Sequence, residues 1–424
     1  KGEVRIQSVE EEISKMGREV KDFVEGLKDE AIRIEELLTS IPAMAPESDG
    51  DGELKKCEAL EKYLKEAGFS NFERLDAPDE RVSSKIRPNL IVTIPGKNDK
   101  ERLWIMSHLD VVPPGDLSKW ESDPWTVIEK DGKLIGRGVE DNQQGLVSSV
   151  FAALAFIKLG ITPEHTIKLL FVADEEVGSQ YGIIYLLNKH NLFTQDDLIL
   201  VPDGGDPKGE TIEIAEKTSL WLKVITKGVQ THASMPNTGK NAFVAACGLA
   251  LRLNDLENHF NKKDDLFSPN YSTFQPTKKE ANVPNVNTIP GDDVFYVDCR
   301  ILPSYDVTEV LKEMQKRASE VEKKYGVGIK FEYDEPEVSP ATPKDAKIVS
   351  LLSSAVKKVK GIETSTIGIG GGTVAACLRA KGFNAVVWSS LDDSCHQPNE
   401  YAFIKNIISD AKVMAAMMFG VENI

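Results

Sequence analysis

An α/β sheet domain interrupted by a smaller α+β domain is the fold this sequence predicts, on three observations. Short apolar runs at 90–94, 103–107, 167–173 and 198–201 are separated by helical periodicity, the pattern of a sheet with helices on both faces. In mid-chain the order becomes strand, helix, strand, helix over roughly 120 residues, as a separate inserted domain would give. The length, 424 residues, also exceeds what one ordinary core organises.

From the N-terminus, 9–40 carry Ile13, Met16, Val20, Phe23, Leu27, Ile34 and Leu37 at alternating three- and four-residue steps, interrupted at Glu30. A short coiled coil and an amphipathic helix lying on its own domain both fit this pattern; few heptads and the break at Glu30 favour the second. The proline-containing stretch 40–46 ends the helix, and Asp49-Gly50-Asp51-Gly52 makes a turn. A second amphipathic helix follows at about 53–67. Between the runs at 103–107 and 167–173 lies a helix with Leu146, Val150, Phe151, Leu154 and Ile157 on one face. The runs at 221–226 and 294–300 alternate as strands buried on one face, with helical stretches at about 240–257 and 307–325. The proline-rich stretch 335–343 reads as the return linker, and a further strand-like run lies at 385–389. The first domain is thus expected to be discontinuous, 1–216 and 337–424, with the insert at 217–336.

Apolar residues at 41% and charged residues at 28% are ordinary for a globular chain. The net charge of −16 disfavours nucleic acid as a partner, since phosphate binding wants a basic face, yet leaves room for a local basic pocket. Five scattered cysteines without a C-x-x-C pair point to a reducing compartment. No apolar run approaches the ~20 residues of a membrane span, and the first residues are charged throughout, without an apolar signal-peptide core. The expectation is a soluble, cytoplasmic protein with neither membrane nor nucleic-acid partner.

Chemistry-bearing residues recur directly after strand-like runs, where α/β proteins place functional side chains. His108-Leu109-Asp110 follows 103–107, and in H-x-D the acid can orient a metal-bound imidazole. Asp141 ends Gly136-Arg137-Gly138-Val139-Glu140-Asp141 ahead of a helix, where by itself it reads as a helix cap. Asp174-Glu175-Glu176 follows 167–173; three adjacent acids repel one another and call for a cation. Asp203 follows 198–201, and His396 follows 385–389. Two histidines and three or four carboxylates on one sheet edge make a mixed nitrogen and oxygen site suited to zinc.

The ordered series H-L-D, G-R-G-V-E-D, D-E-E-V-G, P-D-G-G, G-V-Q-T-H-A-S-M-P, N-T-I-P, D-C-R, G-G-G-T and C-H-Q-P-N-E resembles the co-catalytic zinc peptidase and aminoacylase family. That family includes bacterial dipeptidases, carboxypeptidase G, acetylornithine deacetylase and succinyl-diaminopimelate desuccinylase. The resemblance runs from about residue 35 to the C-terminus. It implies a zinc-exopeptidase-like α/β catalytic domain with a mixed central sheet and an inserted α+β lid or dimerisation domain. It implies two Zn2+ per subunit, with Co2+ or Mn2+ compatible with the same ligands. Asp141 would bridge them, with His108 and Asp203 on one ion and Glu176 and His396 on the other. Glu175 would be the general base and Asp110 the orienter of His108. In the insert, His232 resembles the histidine that contacts the reacting carbonyl oxygen, and Arg300 the arginine that grips a substrate carboxylate. Asn287, Gly370, Gly371 and Gly372 would line that pocket. A cis peptide between Asp141 and Asn142, and a homodimer formed through the lid, are also implied.

The chain departs from the family pattern where a lysine often follows the bridging acid, reading Asn142-Gln143-Gln144-Gly145, and at Val374, where many members have aspartate. Both changes are expected to lie nearer the substrate than the metals. Asp203, where the deacylases usually have glutamate, tilts the reading toward a small peptide as substrate, with an N-acyl amino acid as the alternative. An inactive binding relative has no need of Glu175. A two-metal phosphoesterase would share the metal logic, but no Lys-Ser/Thr follows the glycine run to make a P-loop.

Overall fold

The computed structural model describes residues 2–421. The chain forms two compact units: Lys1–Ile214 with Thr342–Thr366 and Thr373–Ile424, and Ala215–Ala341 with Ile367–Gly372. The second unit thus starts near the expected 217, runs on to 341, and takes in the glycine loop expected in the first domain.

The first unit is organised by a mixed eight-stranded sheet. Its order is Phe72–Arg74, Leu90–Ile94, His165–Val172, Asn98–His108, Leu198–Val201, Ala385–Val387, Thr211–Glu216 and Ser365–Ile369. Asn98–His108 pairs parallel with both neighbours, whereas Leu90–Ile94 pairs antiparallel with His165–Val172. Strands buried on both faces read as continuous apolar runs, and this sheet shows why. Trp104 and Met106 pack with Ile183, Leu186, Val374 and Leu378 on one face. Leu103 and Ile105 alternate to the other and are equally buried. The helix Gln143–Leu159 is buried along almost its whole circumference, against Asn98–His108 and Ile404–Phe419.

The expected helix at 9–40 is two helices, Gly2–Glu25 and Lys28–Thr39. Val20, Val24, Ala31, Ile34 and Leu38 are buried, and both helices pack on Ile404–Phe419 and Gln143–Leu159. The apolar stripe is therefore spent on the chain's own domain.

The second unit carries a four-stranded antiparallel sheet in the order Thr273–Lys279, Asp292–Ile301, Thr218–Lys227, Gly328–Glu332. Its inward residues, among them Leu220, Leu222, Val224, Val297 and Cys299, pack on Leu249 and Leu253 of helix Ala242–Asn254 and Met314 and Ala318 of helix Val307–Tyr325. The alternating burial along Thr218–Lys227 and Asp292–Ile301 follows from one face meeting helices. No helix among the described residues is long and apolar enough to cross a membrane.

Candidate metal centre

In the first unit, strand ends and the loops that follow them bring seven predicted residues together. His108 closes its strand, with Nε2 lying 2.9 Å from Asp141 Oδ1, 3.4 Å from Asp203 Oδ2 and 3.5 Å from Glu175 Oε2. His396 Nε2 lies 3.1 Å from the other oxygen of Asp141 and 3.0 Å from Glu176 Oε2. One carboxylate thus stands between two imidazoles, each of which also faces a further acid. Asp110 stands behind His108: its Oδ1 is 3.3 Å from Nδ1, and its two oxygens accept from the backbone N–H groups of Glu175 and Glu176 at 3.1 and 2.9 Å. Asp110 thus contacts both the ring of His108, whose Nδ1 also lies 2.9 Å from the Asp110 backbone carbonyl, and the loop that carries the acids.

Several residues given no role in the site from the sequence hold this arrangement. Glu400 accepts from Arg137 Nη1 at 2.8 Å and from the N–H groups of Gly138, Glu140 and Asp141 at 3.0–3.1 Å, which fixes the turn ahead of Asp141. Glu140 accepts from Ser394 N at 2.6 Å, tying that turn to the loop of His396. Asn142 accepts from His108 N at 3.0 Å and donates to the Pro202 carbonyl at 2.7 Å, so one side chain links three of the converging segments. The Asp141–Asn142 peptide is cis. A Cβ at Gly145 would lie 2.2 Å from the Pro202 carbonyl oxygen, so only glycine lets the helix start approach the Asp203 loop this closely. Glu400 was visible within C-H-Q-P-N-E, but nothing local to it reveals partners some 260 positions away.

The side chains at both departures from the family pattern, expected nearer the substrate than the metals, are buried. Gln143 is buried and donates to Glu35 and Thr39; Gln144, also buried, donates to the Ser390 carbonyl and to Asp410. Val374 is buried in the sheet core beside Leu378. These side chains point into the protein because they belong to helices packed on the sheet.

The electrostatics favour a cation. Burial raises the Glu175 carboxyl well above the usual range against the pull of His108, and Asp203, Glu176 and Asp141 add to the rise. Burial likewise lifts Glu176 to about 8 and Asp203 to about 6. Burial also presses on Asp141, but hydrogen bonds from His108 and His396 hold it well below its ordinary value. For His108, burial pulls down, while Glu175 and Asp203 outweigh it and raise the imidazole well above normal. Acids that repel one another at low dielectric around two imidazoles are relieved by divalent ions. Ligand atoms of His108, Asp141 and Asp203, of His108, Glu175 and Glu176, and of Asp141, Cys395 and His396 lie within 4.8 Å of one another in each group. The donors therefore fit a metal, with nitrogen and carboxylate oxygen predominating.

The remaining predicted residues belong to the second unit. Arg300 donates from Nε and Nη2 to the two oxygens of Asp298 at 2.7 and 3.0 Å, and from Nη1 to the Gly370 carbonyl at 3.3 Å. A Cβ on Gly371 would lie 3.7 Å from Nη1; Gly372 follows in the same loop. His232 and Asn287 are neighbours, with Ala233 N donating to the Asn287 carbonyl at 3.0 Å. The His232 ring is exposed, and its Nδ1 accepts from Ser234 N at 3.1 Å.

The profile of peptidase family M20/M25/M40 matches residues 104–419. An uncharacterized metallohydrolase of Methanocaldococcus jannaschii is 41% identical over 403 residues, covering 91% of this chain and 98% of that one. Succinyl-diaminopimelate desuccinylase of Pseudomonas fluorescens is 27% identical over 311 residues, 72% of this chain and 78% of its own. Among solved structures, aminopeptidase PepT from Bacillus cereus superposes with a TM-score of 0.74 at 19% identity, over 93% of this chain and 99% of that one. On this match and this geometry, the chain belongs to peptidase family M20/M25/M40 and is a metallohydrolase acting on amide or peptide bonds.

Proposed function

We propose that this metallohydrolase holds two zinc ions and cleaves the amide bond of a small peptide, as a dipeptidase or a carboxypeptidase-like exopeptidase. The observation that carries the two-ion reading is Asp141, whose two oxygens lie 2.9 and 3.1 Å from the Nε2 atoms of His108 and His396. His108 and Asp203 would complete one position, Glu176 and His396 the other. Ions held there would lower the pKa of a water molecule and polarise the amide carbonyl.

The chain's own groups then do the rest. Glu175 takes the proton from the attacking water on its carboxylate and passes it to the departing amine. Asp110 keeps His108 oriented. His232, with Nδ1 already accepting from Ser234 N, has Nε2 for the developing oxyanion. Arg300, braced by Asp298, presents its remaining N–H donors to a substrate carboxylate, with Asn287 and the Gly370, Gly371 and Gly372 loop beside the same ligand. His232 is proposed to act in the site of a second copy, within a homodimer built through the second unit.

A second reading, an N-acyl amino acid deacylase, is favoured by the relatives named succinyl-diaminopimelate desuccinylase at 27–28% identity. Asp203 in place of glutamate favours the peptide. A zinc-supplemented panel of dipeptides, N-acyl amino acids and phosphate esters tests both. Turnover of dipeptides ahead of acyl amino acids is the expected result; the reverse order replaces the first reading with the second, and turnover of phosphate esters alone removes both.

A further inference from the structure

Cys395 is the one cysteine grouped with the proposed ligands among the described residues. Its Sγ lies within 4.8 Å of ligand atoms of both Asp141 and His396. The other cysteines are placed elsewhere: Cys57 and Cys299 are buried, Cys247 is exposed on a helix of the second unit, and Cys377 lies on Val374–Ala380. The surroundings of Cys395 are anionic. Its thiol donates to Asp393 Oδ1 at 3.2 Å, and a ligand oxygen of Asp141 lies within 4.8 Å of its sulfur. A polarisable sulfur beside two carboxylates and an imidazole is a donor environment for a thiophilic cation.

We propose that Cys395 supplies a sulfur donor to the metal position formed by Asp141, Glu176 and His396, and so tunes that position toward soft ions such as zinc, cobalt and cadmium over manganese. The inference rests on the two-ion reading above. It adds a residue adjacent to a ligand whose effect falls on ion choice rather than on proton transfer. As the sulfur–metal bond forms, the S–H proton leaves to solvent. The position served by His108 and Asp203 has no sulfur in its donor group and keeps the harder preference of nitrogen and oxygen ligands.

The test uses the full chain carrying Cys247→Ser, so that the exposed thiol takes no metal. Loaded with Co2+, this protein is expected to show visible ligand-field bands and an intense near-ultraviolet thiolate-to-cobalt band. Adding Cys395→Ser should remove the near-ultraviolet band and leave the visible bands. In chelator competition, the preference for Cd2+ over Mn2+ should fall by about tenfold or more, the scale on which residues around a metal alter affinity. Visible bands without the near-ultraviolet band in the parent, or an unchanged spectrum and ion preference in Cys395→Ser, would overturn the proposal while leaving the two-ion reading in place. Absence of cobalt bands of either kind removes the metal assignment, and this inference with it.

Discussion

At Glu175 the charge arrangement and the proposed chemistry meet. Burial lifts its carboxyl, and three neighbouring acids lift it further; cations bound beside it would return it to the ionised form that accepts a proton. Glu175 also lies 3.5 Å from His108 Nε2, close enough to share the site without being one of the proposed ligands. Glu175→Gln should therefore retain metal, measured by elemental analysis, yet lose most turnover, because only the proton acceptor is removed. His396→Ala should instead lower metal content. Near-normal turnover of Glu175→Gln on the best substrate would rule out Glu175 as the base.

Arg300 poses a different question, because Asp298 already takes Nε and Nη2. The carboxylate fork that D-C-R indicates is thus shared: Asp298 holds one edge of the guanidinium and leaves donors on Nη1 and Nη2 for substrate. A charge-assisted hydrogen bond of this kind contributes roughly 1.5–3 kcal/mol. Arg300→Ala should accordingly weaken kcat/KM for substrates with a free C-terminal carboxylate by about that amount, and for C-terminally amidated analogues by far less. Equal losses would make Arg300 a structural partner of Asp298.

Among elements, the strand ends were the legible part. His108, Glu175, Glu176, Asp203 and His396 each stand shortly after an apolar run, and a run's end is visible in one dimension. What was not legible acts across the sheet through backbone atoms: Glu400 on the Gly138–Asp141 turn, Asn142 on His108 and Pro202. Sequence spacing carries no sign of such pairs. Helix faces are hidden from the sequence for a related reason. Gln143 and Gln144 are polar and sit beside the bridging acid, which invites a substrate role, but their helix is enclosed on nearly all sides. The stripe in 9–40 was readable as amphipathic, whereas its break between Glu25 and Lys28 carried too weak a signal.

That enclosure leaves Gln144 beside a buried acid with a measurable cost. Asp410, on Ile404–Phe419, accepts from Ser390 N at 2.9 Å and from Gln144 Nε2 at 3.3 Å through Oδ2, while Oδ1 has no hydrogen-bond partner among the described residues. Burial raises its carboxyl from 3.8 to about 6, with Ser390 and Lys360 opposing. A carboxyl raised on folding binds its proton more tightly in the native state, so stability is greatest below the unfolded value and falls as pH rises from about 4 through about 6. Asp410→Asn keeps an acceptor for Ser390 N and removes the buried charge. It should stabilise the protein at about pH 7.5, on the order of 3 kcal/mol at ~1.4 kcal/mol for each pH unit of that rise, with the gain shrinking toward pH 4. Urea denaturation of both proteins across that range checks the sign; a gain independent of pH would mean that the Asp410 carboxyl is not raised on folding.

For the molecule as a whole, the second unit offers the surface a homodimer would need. Helix Ala242–Asn254 exposes Phe243, Val244 and Leu251, the last at 74%, along with Cys247. In contact with it, Thr273–Lys279 is an edge strand, exposed from Gln275 onward. An apolar helix stripe next to an open strand edge is a combination that two copies can cover by meeting about a two-fold axis. His232 fits the same reading. It is exposed, as are Met235 and Pro236 beside it in its own unit. Its ring is held through Nδ1 by Ser234, which leaves Nε2 directed away from that contact. The proposal that His232 completes its neighbour's oxyanion site has a consequence that no single chain can imitate. Chains bearing His232→Ala and chains bearing Glu175→Gln are each expected to be inactive alone. Recombined into heterodimers, one site per dimer would combine an intact Glu175 with an intact His232 from the other chain. Activity should then return to about half of the wild-type value in each mixed dimer, the one-in-two yield that a closed two-fold pair dictates. No recovery, once subunit exchange is confirmed by mass-tagged chains, would place His232 in its own subunit's site or outside catalysis.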